Sequence, residues 1–461
     1  MTTANGVRRL VTAPKFVTGS ILRHILVMTG TGAIGLMAIF LGDLANIYFL
    51  SLSGDAAIIA AVGYASSILF FSTSIGIGLS VAATSLVAPA LGAGLRVRAR
   101  RLSAHAQVLT FAVSAVLSVF LWLFVKPLLS LLGASGHTRD LAATYLMILL
   151  PTLPLLASAM TSAAVLRSAG DARRAMNVTL YGAIVNTALD VVFIVKLGWG
   201  IEGAALASAL SRVIIAAVGI HGVVIVHHLM SRPKLKTLAR DAPAFANIAV
   251  PAILTNVATP AGNAYVTAAL APFGDATVAG WAIIGRLIPV AFGAIYALSG
   301  TVGPILGQNY GARRIDRMNA VLNMSLAVMA AFTALAWLCL AVFAEPLSDV
   351  FRAEGETREL ILYFCRVLSP LFVFLGALFV ANAAFNTLGK AHYSTLLNWG
   401  RATVGTIPFV LAGASMAGAK GALTGNMAGG IIFGLGAVIL SRKLIRQIGA
   451  NYESAVRQAT F

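Results

Sequence analysis

Acidic side chains are scarce in this 461-residue chain: 15 Asp and Glu stand against 33 Lys and Arg, and the charged types together make up only 10% of the residues. Soluble domains carry about 25%, so the shortage alone argues against a water-soluble fold. The 59% hydrophobic content and the mean hydropathy of +0.90 agree. Cysteine is nearly absent. Cys339 and Cys365 fall at or inside apolar runs, which favours a packing role over disulfide or metal chemistry. There is no H-E-x-x-H, Walker loop, G-x-S-x-G or paired-cysteine motif, so an enzyme is not expected and no cofactor is implied. ATP-driven transport would need a nucleotide domain on another chain. The Gly42-Asp43 pair is the sole trace of an intramembrane aspartyl hydrolase, which would also require a second acid to converge on it.

What the chain does have is apolar runs of about 20 residues, each long enough to cross a hydrocarbon core of ~30 Å at 1.5 Å per residue. Segments such as 142–166 and 320–344 are apolar on every face, which predicts helices and excludes the alternation of a membrane barrel. The expected fold is all-α integral membrane, with spans at 25–50, 57–90, 104–125, 142–166, 175–196, 201–228, 243–270, 276–307, 318–344, 359–386, 394–414 and 419–441. The net charge of +18 is dispersed among short loops, so nucleic acid is not an expected partner and the lipid bilayer is. Every second loop is basic. One side gathers 23 Lys and Arg, among them Arg8, Arg9, Arg96, Arg98, Arg167, Lys234, Arg313 and Arg442, whereas the other has six. The positive-inside rule then predicts twelve spans with both termini cytoplasmic; a bacterial inner membrane is the expected location. Residues 1–24 read as a cytosolic basic arm, and the first apolar run reads as a span without a cleavage site.

The sequence repeats at an offset of about 215–220 residues. Gly54-Asp55-Ala56 returns as Gly274-Asp275-Ala276, Pro89-x-Leu91-Gly92 as Pro304-x-Leu306-Gly307, Lys126-Pro127 as Glu345-Pro346, Pro151 as Pro370 and Gly170 as Gly389. Two six-helix lobes related by pseudo-two-fold symmetry are therefore expected: 1–228 with the arm, a linker at 229–242, and 243–461 with the tail. Parallel repeats of this kind rock about a central cavity, as alternating access requires, and a simple pore has no need of them. Prolines inside spans, including Pro251, Pro260, Pro289 and Pro408, predict kinks.

Ionisable groups inside the bilayer cost ~2.5–3.5 kcal/mol on insertion scales and are functional candidates. Asp43 lies three residues before Asn46 on one face of span 1, and Asp190 lies four after Asn186 on one face of span 5. The second half has no acid well inside a span, so coupling is expected in the first. A buried carboxylate is relieved by a proton or by a cation with neighbouring oxygen ligands. Of the in-span arginines, Arg366 and Arg401 are expected to snorkel from helix ends, and Arg286 to face the cavity. Asn256, Asn263, Tyr265, Asn382 and Asn386 are candidate walls of a substrate cavity for small organic cations or amphipathic drugs.

The stretches Leu52–Gly63, Gly76-x-Gly78-Leu79-Ser80, Leu166-Arg167-Ser168-Ala169-Gly170-Asp171, Asn186-x-x-x-Asp190 and Gly307-Gln308-Asn309-Tyr310-Gly311-Ala312 together resemble the multidrug and toxic compound extrusion (MATE) family over essentially the whole chain. The lack of acids in spans 7 and 10 is similar to the prokaryotic branch named for the DNA-damage-inducible protein F. The resemblance implies export of cationic or amphipathic compounds by a monomeric antiporter in exchange for H⁺ or Na⁺. It also implies that Asn186, Asp190 and Ser208, with an acid of span 1, form the cation site, Na⁺ included. Relatives carry that acid at the position of Asn46, and here it has moved to Asp43. Thr31 also stands where relatives have a bending proline. A flippase for a lipid or lipid-linked oligosaccharide is the alternative on the same architecture.

Overall fold

The computed structural model describes residues 14–52 and 55–459; Arg8 and Arg9 of the arm and Gly54 of the repeat lie outside them. The described residues are helical nearly throughout, with no strand among them. Spans 1 to 7 are Ile21–Ser51, Ala56–Gly92, Arg96–Leu123, Gly136–Ser168, Ala172–Lys196, Gly200–Val226 and Leu235–Phe273. Span 8 is the pair Asp275–Ala291 and Gly293–Gly311, bent by 51°, and spans 9 and 10 are Ile315–Val342 and Gly355–Thr387. The last apolar stretch, Ala391–Ser454, is two crossings. Its backbone leaves helical geometry at Ala417 and Gly418, and Gly413 then meets Gly421, Gly425 meets Phe409, and Gly429 meets Gly405, backbone on backbone. Only glycine permits that approach. The chain doubles back, giving span 11 at 391–416 and span 12 at 419–459, twelve crossings in all among the described residues.

The repeat is visible in the backbone itself. Positive φ occurs at Gly94 and Arg313, Gly133 and Arg352, Gly136 and Gly355, and Gly170 and Gly389, each pair 219 residues apart (313 − 94). Spans 4 and 10 are each broken by a short 3₁₀ turn, at Leu150–Thr152 and Ser369–Leu371, where Pro151 and Pro370 interrupt the ladder. Carbonyls freed near these breaks must find donors inside the bilayer. Ser118 Oγ donates to Leu150 O at 2.6 Å, and Trp337 Nε1 to Arg366 O at 3.0 Å. Span 7, by contrast, stays helical through Pro251 and Pro260. Span 1 is one unbroken 31-residue helix, with Thr31 Oγ1 bonded back to Val27 O and Met28 O where a proline would have left an unmade bond.

The halves are tied together at the end carrying the basic loops. Gly92 packs on Gln308 and Gly311 on Pro89, so the two repeated Pro-x-Leu-Gly segments lie against each other. A strap formed by the start of the described chain staples this seam. Phe16 is 1% exposed in the hydrophobic cluster of the second half. Its N–H donates to Gln308 Oε1 (2.8 Å), while Gln308 Nε2 donates to Ser168 O of the first half (2.7 Å). Arg317 and Asn309 both donate to Phe16 O, and Lys15 Nζ to Gly170 O. A second tie joins span 3 to span 7, where Asp241 accepts from Arg101 Nε at 3.0 Å and bonds buried His105 at 2.8 Å. Contact continues outward as far as Met37 against Gly293. Span 1 thus packs along the second segment of span 8 and leaves the first, Asp275–Ala291, on which Val290 and Arg286 are exposed. The facing surfaces have parted into a cleft.

Candidate functional site

In the first half, small residues let span 1 lie close along span 5: Gly35 faces Thr179, and Gly42 faces Thr187 and Ala183. This approach buries Asn46 (8% exposed) beside Asp190, which is 0% exposed. Asp190 ends the α-helical part of span 5; the next six residues, Val191–Lys196, widen to a π-helix, a distortion frequent at functional sites. Asn186 Nδ2 donates to Asp190 Oδ2 at 2.9 Å. Asp190 Oδ1 and Asn46 Nδ2 are both buried without a hydrogen-bond partner. Buried polar atoms are rarely left so: the Asn46 amide and the Asp190 carboxylate are donor and acceptor set beside each other, and the carboxyl oxygen can also take a proton or a cation. Asp43 is exposed beside this pair and within electrostatic reach of Asp190.

The Tyr145 phenol of span 4 is the hub that the sequence reading missed. It is buried, bonds the Ser208 hydroxyl, and lies within electrostatic reach of Arg212, Asp190 and Asp43. Arg212 has a structural duty there. Its Nη1 donates to Leu149 O (2.9 Å) and to Thr152 Oγ1 (3.1 Å), satisfying the backbone at the Pro151 break. Its presence inside a span was the available signal; a lone tyrosine in an apolar run gave none. The set can accept a proton or a monovalent cation at the free carboxyl oxygen. For Na⁺, Asp190, Asn186 and Ser208 would have to supply the oxygens; among the described residues no group of three or more His, Cys, Asp or Glu could hold a metal ion.

The second half replaces acid with base. Arg401, expected to snorkel, is instead 7% exposed. Span 11 leaves helical form just after it, over Thr403–Thr406, which turns the side chain inward to Thr259 Oγ1 (3.1 Å) and the neighbourhood of Tyr296. Its Nε has no hydrogen-bond partner, and no carboxylate pairs with it among the described residues. Arg366 does reach outward, to Glu345 at 2.7 Å.

Two candidate cavity residues move into packing. Asn382 (7% exposed) and Asn386 (6%) hold span 10 to span 11, accepting from Asn398 Nδ2 at 3.1 Å and Ser394 Oγ at 3.2 Å. Polar pairs between apolar helices are bundle glue, and these amides are spent on it. Tyr265 packs against the second half's core, and half-buried Asn256 bonds its own helix at Ala252 O. Asn263 and Arg286 remain exposed. Asn256 lies one turn beyond Ile253, which meets Gly78 of span 2. Both cysteines are free; Cys365 is buried, whereas Cys339 is exposed on span 9 and does not serve core packing.

The MatE family model matches residues 32–192 and again 251–411. The second match is displaced by the 219 residues (251 − 32) that separate the positive-φ pairs. A FAD transporter of Shewanella oneidensis is 28% identical over 435 residues, covering 93% of this chain and 96% of its own. The multidrug export protein MepA of Staphylococcus aureus is 21% identical over 368 residues, 78% of this chain and 80% of its own. The crystal structure of the Vibrio cholerae MATE transporter VcmN in the bent form superposes with a TM-score of 0.87 at 25% identity, covering 93% of this chain and 98% of that one. With twelve crossings, a duplicated half and family matches over most of its length, the chain belongs to the MatE family, multi-pass membrane transporters of small organic substrates rather than enzymes.

Proposed function

We propose that the protein is a cation-coupled antiporter that exports an amphipathic organic compound across the bacterial inner membrane by alternating access, with both termini cytoplasmic. The observation that carries this reading is the carboxyl oxygen Asp190 Oδ1, buried in the first lobe without a partner within hydrogen-bonding distance. A cation entering from the open side relieves that carboxylate. Cation affinity that differs between two states of a transporter is what lets an ion drive a conformational change. The basic seam is then the cytoplasmic gate and the cleft the outward-facing vestibule. A proton is favoured over Na⁺, because one free carboxyl oxygen suffices for it whereas Na⁺ needs several oxygens at fixed distances.

One observation favours a cargo with an acidic group over a simple organic cation. The second half buries Arg401 without a counter-charge and exposes Arg286 on the first segment of span 8, and a relative of similar length is named for FAD. The test is uptake into inside-out vesicles of a cationic dye and of a flavin nucleotide, under an imposed pH or Na⁺ gradient. Uptake that follows the pH gradient supports the reading, and uptake indifferent to both gradients would sink it.

A further inference from the structure

Outside the cleft, a cavity of about 380 Å³ opens at the basic end between spans 9 and 12 and is lined by Asn319, Asn323, Arg442 and Arg446. Each pair is spaced i, i+4, so both side chains of each helix face the same gap. Arg442 Nη2 donates to Asn323 Oδ1 at 3.2 Å, which holds one guanidinium across it. Among the described residues neither arginine has a carboxylate partner; Asp316 at the head of span 9 is taken by Arg314 at 3.1 Å. Two cations are thus gathered in one concave place with nothing to balance them.

Ile432, Leu435, Ile439, Arg442 and Arg446 form a single stripe of span 12 at 3, 4, 3, 4 spacing, and its first three members are at least half exposed. An exposed apolar stripe on a membrane helix faces acyl chains. It turns cationic within one helical turn, at the basic end where headgroups lie. Gly449 pressed on Ile315 pinches the gap at its solvent side. We infer that this cleft is a binding site for the phosphate of an anionic phospholipid, whose acyl chain runs along the Ile432–Ile439 stripe. Basic pockets between membrane helices hold such headgroups, and each Lys or Arg near an anionic surface contributes about 1 kcal/mol.

The experiment follows thermal melting and native mass spectrometry of the purified protein in neutral detergent with phosphatidylglycerol, phosphatidylcholine or inorganic phosphate. Phosphatidylglycerol should raise the melting midpoint by several degrees and stay bound, and phosphatidylcholine should do neither. Arg442→Gln with Arg446→Gln should cut retention roughly tenfold. Asn323→Leu, which fills the cleft but keeps both charges, should also weaken it, and Lys443→Gln, off the stripe, should not. Undiminished retention in the double variant would overturn the site. A rise matched by inorganic phosphate would overturn the lipid as its occupant.

Discussion

The two halves of this transporter share a frame and place different charged groups on it, among the described residues acids beside Arg212 in the first and Arg401 without an acid in the second. Span 5 begins at Asp171, whose carboxylate accepts from Arg174 N as an N-cap; the equivalent residue 219 positions on is Lys390, and span 11 has no side-chain cap. Deeper in, span 5 buries Asp190 where its helix widens, and span 11 buries Arg401 where its helix breaks. Duplication preserved the backbone devices and left the polar groups free to diverge. On the proposed reading, the half with acids takes the cation and the half with a fixed base meets an anionic group.

The sharpest way to break that division of labour is to move the acid of span 1. Asp43→Asn should drop gradient-driven export about tenfold or more at matched expression, and adding Asn46→Asp should restore part of it, since a shift of three residues keeps the carboxylate on one face. Full export by Asp43→Asn would leave Asp190 as the only coupling acid. Gln308→Ala tests the seam. It strands the buried Phe16 N–H and cuts the bridge to Ser168, at a cost of about 1–3 kcal/mol to the sealed state. Spin labels at Arg98 and Arg314 should then report a larger population of the separated basic ends; an unchanged distance distribution would show the strap to be ornamental.

Smaller effects probe the frame. Burial alone would raise the Asp171 carboxyl, but hydrogen bonds from His227 and Arg174 hold it well below the usual range. A lowered folded value means the stabilisation is full above the unfolded value of about 3.9 and is lost as pH falls through the folded one. Asp171→Asn should therefore cost ~1 kcal/mol at pH 7, measured by thermal melting, with the difference from wild type vanishing in strong acid. Arg352 has φ 48° where the first half has Gly133. Arg352→Gly should stabilise by up to about 1 kcal/mol, because a side chain is strained there and glycine is not; a loss would show that the arginine compensates elsewhere.

Twelve crossings and the duplication were legible because length, loop charge and punctuating Gly and Pro survive in composition. The burial of Asp190 within span 5 was legible because an acid inside an apolar run has to be held there. Helix faces were not: where a helix is apolar all round, periodicity cannot say which side meets a neighbour, so Asn382 and Asn386 could be assigned to the cavity though they bind span 11. Arg401 looked terminal because nothing in Trp399–Thr406 announces that the helix breaks there and turns its side chain inward. Phe16, an aromatic in a basic arm, carried no sign of being the pin of the seam.

The most direct measurement places Asp190→Asn beside Arg401→Gln in proteoliposomes, recording cargo accumulation under an imposed pH gradient and cargo exchange without one. The expected result is that Asp190→Asn loses accumulation but keeps exchange, while Arg401→Gln keeps its gradient dependence and binds an acidic cargo about tenfold more weakly. Gradient-driven accumulation by a well-folded Asp190→Asn protein would contradict the assignment of coupling to the first half.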